Sequence, residues 1–179
     1  MNNSVPPPGV FAGLRTKTPN MRKQILTSNP ATSAPLPGEL DVAALATVAV
    51  TSEMADHPVE NAFDHRRGPG GSRWVAETPG EQTLILAFDA PQDIRQVVLE
   101  VEECQDSRTQ ELQLAVSHDG GNTYRELLRQ EFNFSPPGTT FERETWTVAA
   151  EGATHLRLAI KPDKGGRPCR ASLTSLSLR

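Results

Sequence analysis

The sequence contains little cysteine and few aromatic side chains. Two of its 179 residues are cysteine, and Phe, Trp and Tyr together make up 5%. Cys104 and Cys169 lie in separate segments, with no CxxC spacing and no pair of histidines nearby. This pattern argues against a zinc site, so we expect two free thiols and no metal.

Long apolar runs and an excess of basic residues are also missing. No apolar stretch approaches the roughly 20 residues that cross a bilayer, so no membrane span is predicted. The formal net charge of −4 argues against a nucleic-acid partner, because the phosphate backbone calls for clustered Lys and Arg. The first residues, MNNSVPPPGVFAGLR, have no basic start followed by an apolar core, so we expect no secretory signal and a cytoplasmic protein.

Recognisable catalytic motifs are absent from the sequence. It has no P-loop, no dinucleotide fingerprint and no HExxH. Glu102 and Glu103 are neighbours in a predicted strand and point to opposite faces, so they cannot flank one scissile bond. None of the four histidines falls in a motif with a nucleophile and a third orienting group: His57, His65, His118 and His155. We predict that the protein is not an enzyme and uses no cofactor.

Residues 1–40 differ in composition from the rest of the chain. They hold seven prolines, and four basic residues against one acid give +3, which leaves 14 basic and 21 acidic residues, or −7, for 41–179. Such a segment cannot bury enough apolar surface to order itself. We interpret 1–40 as a proline-rich N-terminal arm that lies along a protein partner; a simple leader is the alternative. Residues 41–179 form the predicted domain.

From residue 44 onward, short apolar runs alternate with a period of two. In ELQLAV, for example, Leu112, Leu114 and Val116 share one face. Alternation of this kind is typical of half-buried antiparallel strands, and no helical stretch of ten residues stands out. Turn signals separate the runs: DAPQD, HDGGN, SPPGTT, AEGAT and PDKGGRP. About eight strands predict an all-β fold, an antiparallel β-sandwich or barrel.

The stretch LQLAVSHDGGNTYREL, at residues 112–127, contains the most distinctive of these turns. Asp119, Gly120 and Gly121 supply the positive φ angles and side-chain hydrogen bonds that a tight hairpin needs. A calcium loop would need more oxygen ligands, and a phosphate cradle would open a helix. The spacing resembles the Asp-box hairpin of sialidase-like propellers, but it occurs once, and we predict a structural hairpin.

Several motifs in order carry a second resemblance. The segment VENAFDHRRGPGGSRWVAE, at 59–77, is followed by LILAFDAPQDIRQVVLE, the hairpin above, HLRLAIKP and ASLTSLSL. Residues 44–179 thereby resemble the galactose-binding-like jelly rolls, which include the discoidin or coagulation-factor type C domains and related carbohydrate-binding modules. The resemblance implies a jelly-roll sandwich whose loops at one end meet ligands.

The sequence departs from that family at two points. Discoidin domains commonly carry a disulfide that joins their two ends, and no cysteine stands there. The loop after Asp64 lacks the further Asp and Thr of the family's frequent calcium site. We expect Asp64 to brace the loop through hydrogen bonds to backbone N–H groups.

Four predicted loops, at 52–74, 105–109, 133–140 and 161–170, could contribute to the ligand-binding end. Together they hold eight basic side chains: Arg66, Arg67, Arg73, Arg108, Lys161, Lys164, Arg167 and Arg170. Guanidinium groups bind carboxylates, phosphates and sugar hydroxyls. Trp74 and Trp146 fall at strand-like positions and are expected in the core, whereas Phe134 is expected to be an exposed ring. The candidate ligand-binding residues are Arg66, Arg67, Arg73, Arg108, Phe134, Lys161 and Arg167. Alternatively, these loops are merely solvated, with arginines paired to Glu77, Asp106 and Asp163.

Two functions are consistent with these features. The first is a non-catalytic interaction or adaptor module that docks onto a larger protein assembly through its N-terminal arm and sandwich surface. The alternative is a module that binds a carbohydrate, or another polar or anionic ligand, at the loop end. The separate arm and the low aromatic content favour the first, and the loop arginines favour the second.

Overall fold

The computed structural model describes residues 35–179. They form a short helix, α1 (Val42–Leu45), a 3₁₀ helix (Val59–Ala62) and eight strands. The strands are β1 (Ala46–Val50), β2 (Trp74–Val75), β3 (Gln82–Glu102), β4 (Arg108–Ser117), β5 (Arg125–Phe134), β6 (Phe141–Lys161), β7 (Ser172–Leu173) and β8 (Ser175–Leu178). The predicted all-β fold is confirmed.

β3 and β6 pair over both of their halves, with an interruption in the middle, and form one long antiparallel ribbon. Its register runs from Gln82 opposite Ile160 to Glu102 opposite Phe141. The first half of β3 also pairs with β1, and the second half of β6 pairs with β4, which continues to β5. The second half of β3 pairs with β8. The ribbon therefore belongs to both layers of the sandwich, while β2 and β7 form a separate two-stranded sheet.

The ribbon folds back on itself at the middle of each strand. The register shifts between Ala87 and Gln96, and the N–H of Gly152, at φ +66°, donates to Asp93 Oδ1 at 2.8 Å. The sequence analysis predicted turns at DAPQD and AEGAT, and this was wrong. Both segments are irregularities inside continuous strands, where the register shifts and only some residues, such as Gln92 opposite Ala153, keep a partner.

The inward-facing side chains of both layers form a single core. The predicted alternation is confirmed for Leu112, Leu114 and Val116, which are at most 1% exposed. The other layer contributes residues such as Val97 and Leu99, both fully buried. One apolar core shared by two faces of strands is what defines a sandwich.

Glu39 attaches the residues that precede α1 to this sandwich. Its carboxylate, with 2% of the side chain exposed, accepts from Arg67 Nη2 at 2.5 Å and from the Leu36 N–H at 2.7 Å. Burial raises the pKa of Glu39, but the hydrogen bonds from Leu36, Ser177 and Arg67 outweigh it and the net pKa is lowered. The predicted arm, residues 1–40, lies mostly outside the described residues, and its division from 41–179 stays a prediction.

Over residues 35–179, no helix is long and apolar enough to cross a membrane.

The fold-back gives a test at Gly152. A Cβ there would meet no atom within 4 Å, so the cost of adding one is the cost of a positive φ alone. We expect Gly152→Ala to lower the free energy of unfolding by about 1–2 kcal/mol, and Gly152→Asn to lower it less, because Asn tolerates this conformation better. Urea denaturation measures both, and a Gly152→Ala variant as stable as the wild type would contradict a left-handed residue at this bend.

Candidate ligand-binding site

The fold-back brings both ends of the long ribbon to the same end of the sandwich. The N–H of Lys164, which follows β6, donates to the carbonyl of Thr109, at the start of the strand after β3, at 2.8 Å. Arg108 lies at the start of β4, and its Nη1 donates at 2.6 Å to the carbonyl of Arg170, which lies in the loop after β6. Loops distant in sequence thus meet at one end, where sandwich folds place variable sites.

A cleft of about 550 Å³ opens between these loops. We call it the main cleft. Its walls come from the segment before β2, the loop between β3 and β4, and the loop before β7, and they contain Met54, His57, Arg73, Val75, Glu102, Glu103, Cys104, Gln105, Asp106, Arg108, Pro168, Cys169, Arg170 and Ser172.

Two ion pairs fix the base of the main cleft. Arg73 Nη2 lies 2.7 Å from Glu102 Oε2, and Arg108 Nη2 lies 2.8 Å from Glu103 Oε2. The Arg108 side chain is 2% exposed, and it also donates to Ser172 Oγ. Buried charges persist only when they are paired and hydrogen-bonded. These arginines therefore shape the cleft and hold its loops together.

The exposed polar groups of the main cleft come from other residues. The His57 side chain is 41% exposed, and Arg170 is exposed while its Nε donates to the carbonyl of Glu77 at 3.0 Å. Among the ionic side chains of the walls, three arginines face three carboxylates. The main cleft is thus balanced in charge and rich in hydrogen-bonding groups, which suits a neutral polar ligand.

A second cleft of about 530 Å³ lies beside the first. We call it the side cleft. It is lined by Ser107, Arg108, Thr109, Asn133, Phe134, Asp163, Lys164, Gly165 and Arg167. Arg108 lines both clefts, and Arg167 Nη2 donates to the Ser107 carbonyl in the wall of the side cleft.

The seven predicted site residues do not form one cluster. Arg73 and Arg108 line the main cleft, and Arg108, Phe134 and Arg167 line the side cleft. Lys161 lines a different groove, on the outer face of the sheet near Glu111 and Arg129.

Arg66 and Arg67 lie apart from both clefts. Arg66 Nε is 3.7 Å from Asp64 Oδ2. Arg67 is 15% exposed, and its guanidinium binds Glu39 and the His65 carbonyl. The alternative interpretation, in which the loop arginines form ion pairs, applies to most of the predicted site residues. Of the three partners it named, Asp163 forms its ion pair, with Arg167.

The expectation that Phe134 is an exposed ring was wrong. It is the last residue of β5 and is 3% exposed, because the strand continues past Phe132 and both rings point into the core. Trp74 is fully buried, with its indole N–H on the Ser52 carbonyl at 3.2 Å, and Trp146 packs against the core.

The hairpin at residues 117–124 has the structural role that the sequence indicates. Asp119 accepts from Ser117 Oγ at 2.6 Å, from the Thr123 N–H at 2.9 Å and from Thr123 Oγ1 at 2.7 Å. These bonds, that from Ser117 first, hold the pKa of Asp119 well below its usual range. Asp64 similarly accepts from the Arg66 N–H and from Ser72 Oγ, and so braces its loop.

Cys104 and Cys169 are both free thiols and both line the main cleft. Within the part of the chain that the structure describes, no group of three or more His, Cys, Asp or Glu side chains is arranged to hold a metal ion.

Comparison with known proteins agrees with this geometry. The family model of the F5/8 type C domain matches residues 47–170. The chain belongs to the F5/8 type C domain family. No curated protein sequence matches the chain.

Solved structures with the same fold include carbohydrate-binding modules. The CBM32-3 module of a family 31 glycoside hydrolase from Clostridium perfringens has a TM-score of 0.59 and 17% identity, over 78% of this chain and 93% of that one. Another C. perfringens module, CpGH89CBM32-5, was solved with GalNAc-β-1,3-galactose and has a TM-score of 0.55 and 21% identity, over 78% and 98%. A chitosan-binding module of a Paenibacillus chitosanase/glucanase has a TM-score of 0.51 and 18% identity, over 78% and 98%. At these identities the likeness establishes the galactose-binding-like fold.

The sequence analysis did not select His57 or the carboxylates that pair with Arg73 and Arg108. His57 is positioned by its backbone, which accepts from the Val75 N–H at 3.1 Å. Its only signal in the sequence was its place in the long loop before Trp74. Arg170 is one of the loop cations, and among the arginines that line the main cleft it is the exposed one.

The wall of the side cleft gives a pH test. Asp163 accepts from Arg167 Nε at 2.8 Å and from the Arg167 N–H at 3.0 Å, and these bonds, the side-chain bond first, lower its pKa from 3.8 to about 2. Because the pKa is lowered in the folded state, the ionised Asp163 stabilises the fold at every pH above its ordinary pKa of 3.8. This stabilisation is lost as the pH falls from 3.8 toward 2. We expect Asp163→Asn to flatten the fall of the melting temperature over this range, whereas Asp89→Asn, at an exposed aspartate, follows the wild type. Parallel curves for wild type and Asp163→Asn would contradict the assignment.

Proposed function

We propose that this chain is a non-catalytic carbohydrate-binding module and that its main cleft binds the sugar. The observation that carries the proposal is the loop-end cleft itself, with a base fixed by ion pairs and with His57 and Arg170 exposed in its walls. Its volume falls in the range of small-molecule sites, roughly 300–1,000 Å³.

The chemistry of the walls suits a sugar. The Arg170 guanidinium and the His57 ring supply hydrogen bonds to hydroxyl groups, and Met54 and Val75 offer apolar surface to the C–H face of a pyranose. Apart from the His57 imidazole, no aromatic ring lines this cleft within the described chain. Few rings mean little stacking, so we expect a modest affinity that depends on hydrogen bonds.

Related modules support the same proposal. One binds GalNAc-β-1,3-galactose and another is a chitosan-binding module, both with this fold. These likenesses favour the carbohydrate alternative of the sequence analysis over its adaptor interpretation.

Docking onto a protein assembly through residues 1–40 stays a second proposal. The observation that favours it is the contrast in charge, +3 for 1–40 against −7 for 41–179. Residues 1–34 lie outside the described structure, and cytoplasmic location likewise remains a proposal.

Sugar binding is tested by thermal shift and isothermal titration calorimetry with a panel of neutral and acidic mono- and oligosaccharides. A ligand that binds only the folded chain raises its melting temperature. We expect at least one sugar to do so, with its affinity lowered about fivefold or more by His57→Ala and by Arg170→Ala, as the loss of a net hydrogen bond predicts.

Arg95→Ala is the matched control. Arg95 is an exposed arginine beside the fold-back of β3, at the other end of the sandwich, so its removal changes the net charge equally and should leave the affinity unchanged. If no sugar shifts the melting temperature, or if all three variants bind alike, the main cleft is not the sugar site.

The docking proposal is tested by comparing the partners captured by the full chain with those captured by residues 35–179. Truncation after residue 34 keeps Glu39, whose ion pair with Arg67 belongs to the folded domain. We expect the truncated chain to lose a protein partner while its melting temperature is unchanged. Equal recovery by the two chains would count against a docking role for the N-terminal segment.

A further inference from the structure

The side cleft differs from the main cleft in charge. Among its ionic wall residues, Arg108, Lys164 and Arg167 face one carboxylate, Asp163. That carboxylate is 5% exposed and is bound by Arg167, so it does not face the cleft as a free acceptor. Cations therefore outnumber carboxylates in the lining of the side cleft, whereas the lining of the main cleft is balanced; Arg108 and Lys164 have their carboxylate partners, Glu103 and Glu131, outside this lining.

Two exposed cations can reach a ligand in the side cleft. The Arg167 side chain is 51% exposed; its Nε and Nη2 are used by Asp163 and Ser107, which leaves Nη1 without a hydrogen bond to the described residues. The Lys164 side chain is 51% exposed and pairs with Glu131, itself 42% exposed. Exposed ion pairs contribute little free energy, so Lys164 can exchange Glu131 for a ligand at small cost.

Neutral donors complete the set of groups in the side cleft. Asn133 is exposed, and its Oδ1 accepts from Thr109 Oγ1 at 2.7 Å, which orients the amide Nδ2 as the free end. Arg108, 2% exposed, also lines the side cleft; its Nη1 and Nη2 bind Arg170, Ser172 and Glu103, and its Nε has no hydrogen-bond partner in the described chain. A buried, unpaired guanidinium donor is costly unless an acceptor meets it.

The two clefts are close enough to share one ligand. Arg108 lines both, and the main cleft is also lined by Asp106, the residue before Ser107 of the side cleft. Neighbouring clefts of this kind can hold successive units of one sugar chain.

We propose that the side cleft is a second subsite, which binds a carboxylate- or sulfate-bearing sugar unit next to the unit held in the main cleft. The ligand is then an acidic oligosaccharide rather than a single sugar. This inference rests on the proposed function, because the main cleft must bind the neighbouring unit.

The test compares probes of different length and charge on the full chain by isothermal titration calorimetry. The probes are galacturonic acid, its tetramer, the same tetramer with every carboxylate methyl-esterified, and a sulfated galactose tetramer with its neutral counterpart. We expect at least one acidic tetramer to bind about tenfold or more tightly than the acidic monomer and than its uncharged counterpart, as added ionic hydrogen bonds predict. This gain should shrink as salt is raised.

Variants locate the gain in the side cleft. Lys164→Gln should lower the affinity for the acidic tetramer about fivefold and leave that for the uncharged tetramer unchanged, while Arg95→Gln, which removes one charge at the other end, should change neither. Melting temperatures check that each variant is folded.

The outcomes separate the two proposals. If neutral sugars bind but acidic tetramers gain nothing over monomers, or if Lys164→Gln has no effect, the side cleft is not a subsite and the main cleft still binds sugar. If no sugar of either kind binds, both proposals fail.

Discussion

The fold-back of the β3–β6 ribbon is the constraint on which the rest of the structure depends. Both strands run 21 residues and pair on either side of their bends, so one ribbon supplies both layers of the sandwich. At the bend, Ile94, Ala150 and Ala153 are fully buried. The two alanines are small enough for the two halves of the ribbon to lie close together there. Because the ribbon returns to where it began, loops more than 60 residues apart in sequence, such as those at Arg108 and Arg170, meet at one end.

Loops without regular hydrogen bonding need another source of order, and buried ion pairs supply it here. Three arginines of the loop end have nearly buried carboxylate partners: Arg67 with Glu39, Arg73 with Glu102 and Arg108 with Glu103. Removing one partner of such a pair leaves an uncompensated charge, which typically costs about 3–5 kcal/mol. These arginines hold the shape of the loops, and ligand contact falls to the exposed groups, His57, Arg170, Lys164 and Arg167.

How much of this could be predicted from the sequence depends on whether the information is local. Period-two alternation is local, and it correctly predicted the buried faces of β3, β4 and β6. A turn and a bend inside a strand use the same residues, so DAPQD and AEGAT could be told apart from true turns only by the strand paired beside them. Phe134 could have been placed correctly, because it follows Phe132 by two positions and continues the alternation of β5.

The candidate site was harder to predict than the fold, since ion-pair partners are set by tertiary contacts. Glu102 lies 29 residues from Arg73, and Glu39 lies 28 residues from Arg67. Composition showed that the loops were basic, but it did not show which arginines were already neutralised. Exposure, which the sequence does not report, separates the arginines that support the loops from those that remain for a ligand.

A net negative domain can still bind an acidic ligand, provided that the ligand is short. At physiological salt, charges farther away than a Debye length of about 8 Å are largely screened. A sugar acid in the side cleft is therefore influenced mainly by the groups beside it, the exposed Lys164 and Arg167 and their carboxylate partners, rather than by the −7 of residues 41–179. A nucleic acid extends its phosphates over a much larger surface and would meet the acidic remainder of the domain, so the same charge distribution admits a short acidic glycan and disfavours DNA or RNA.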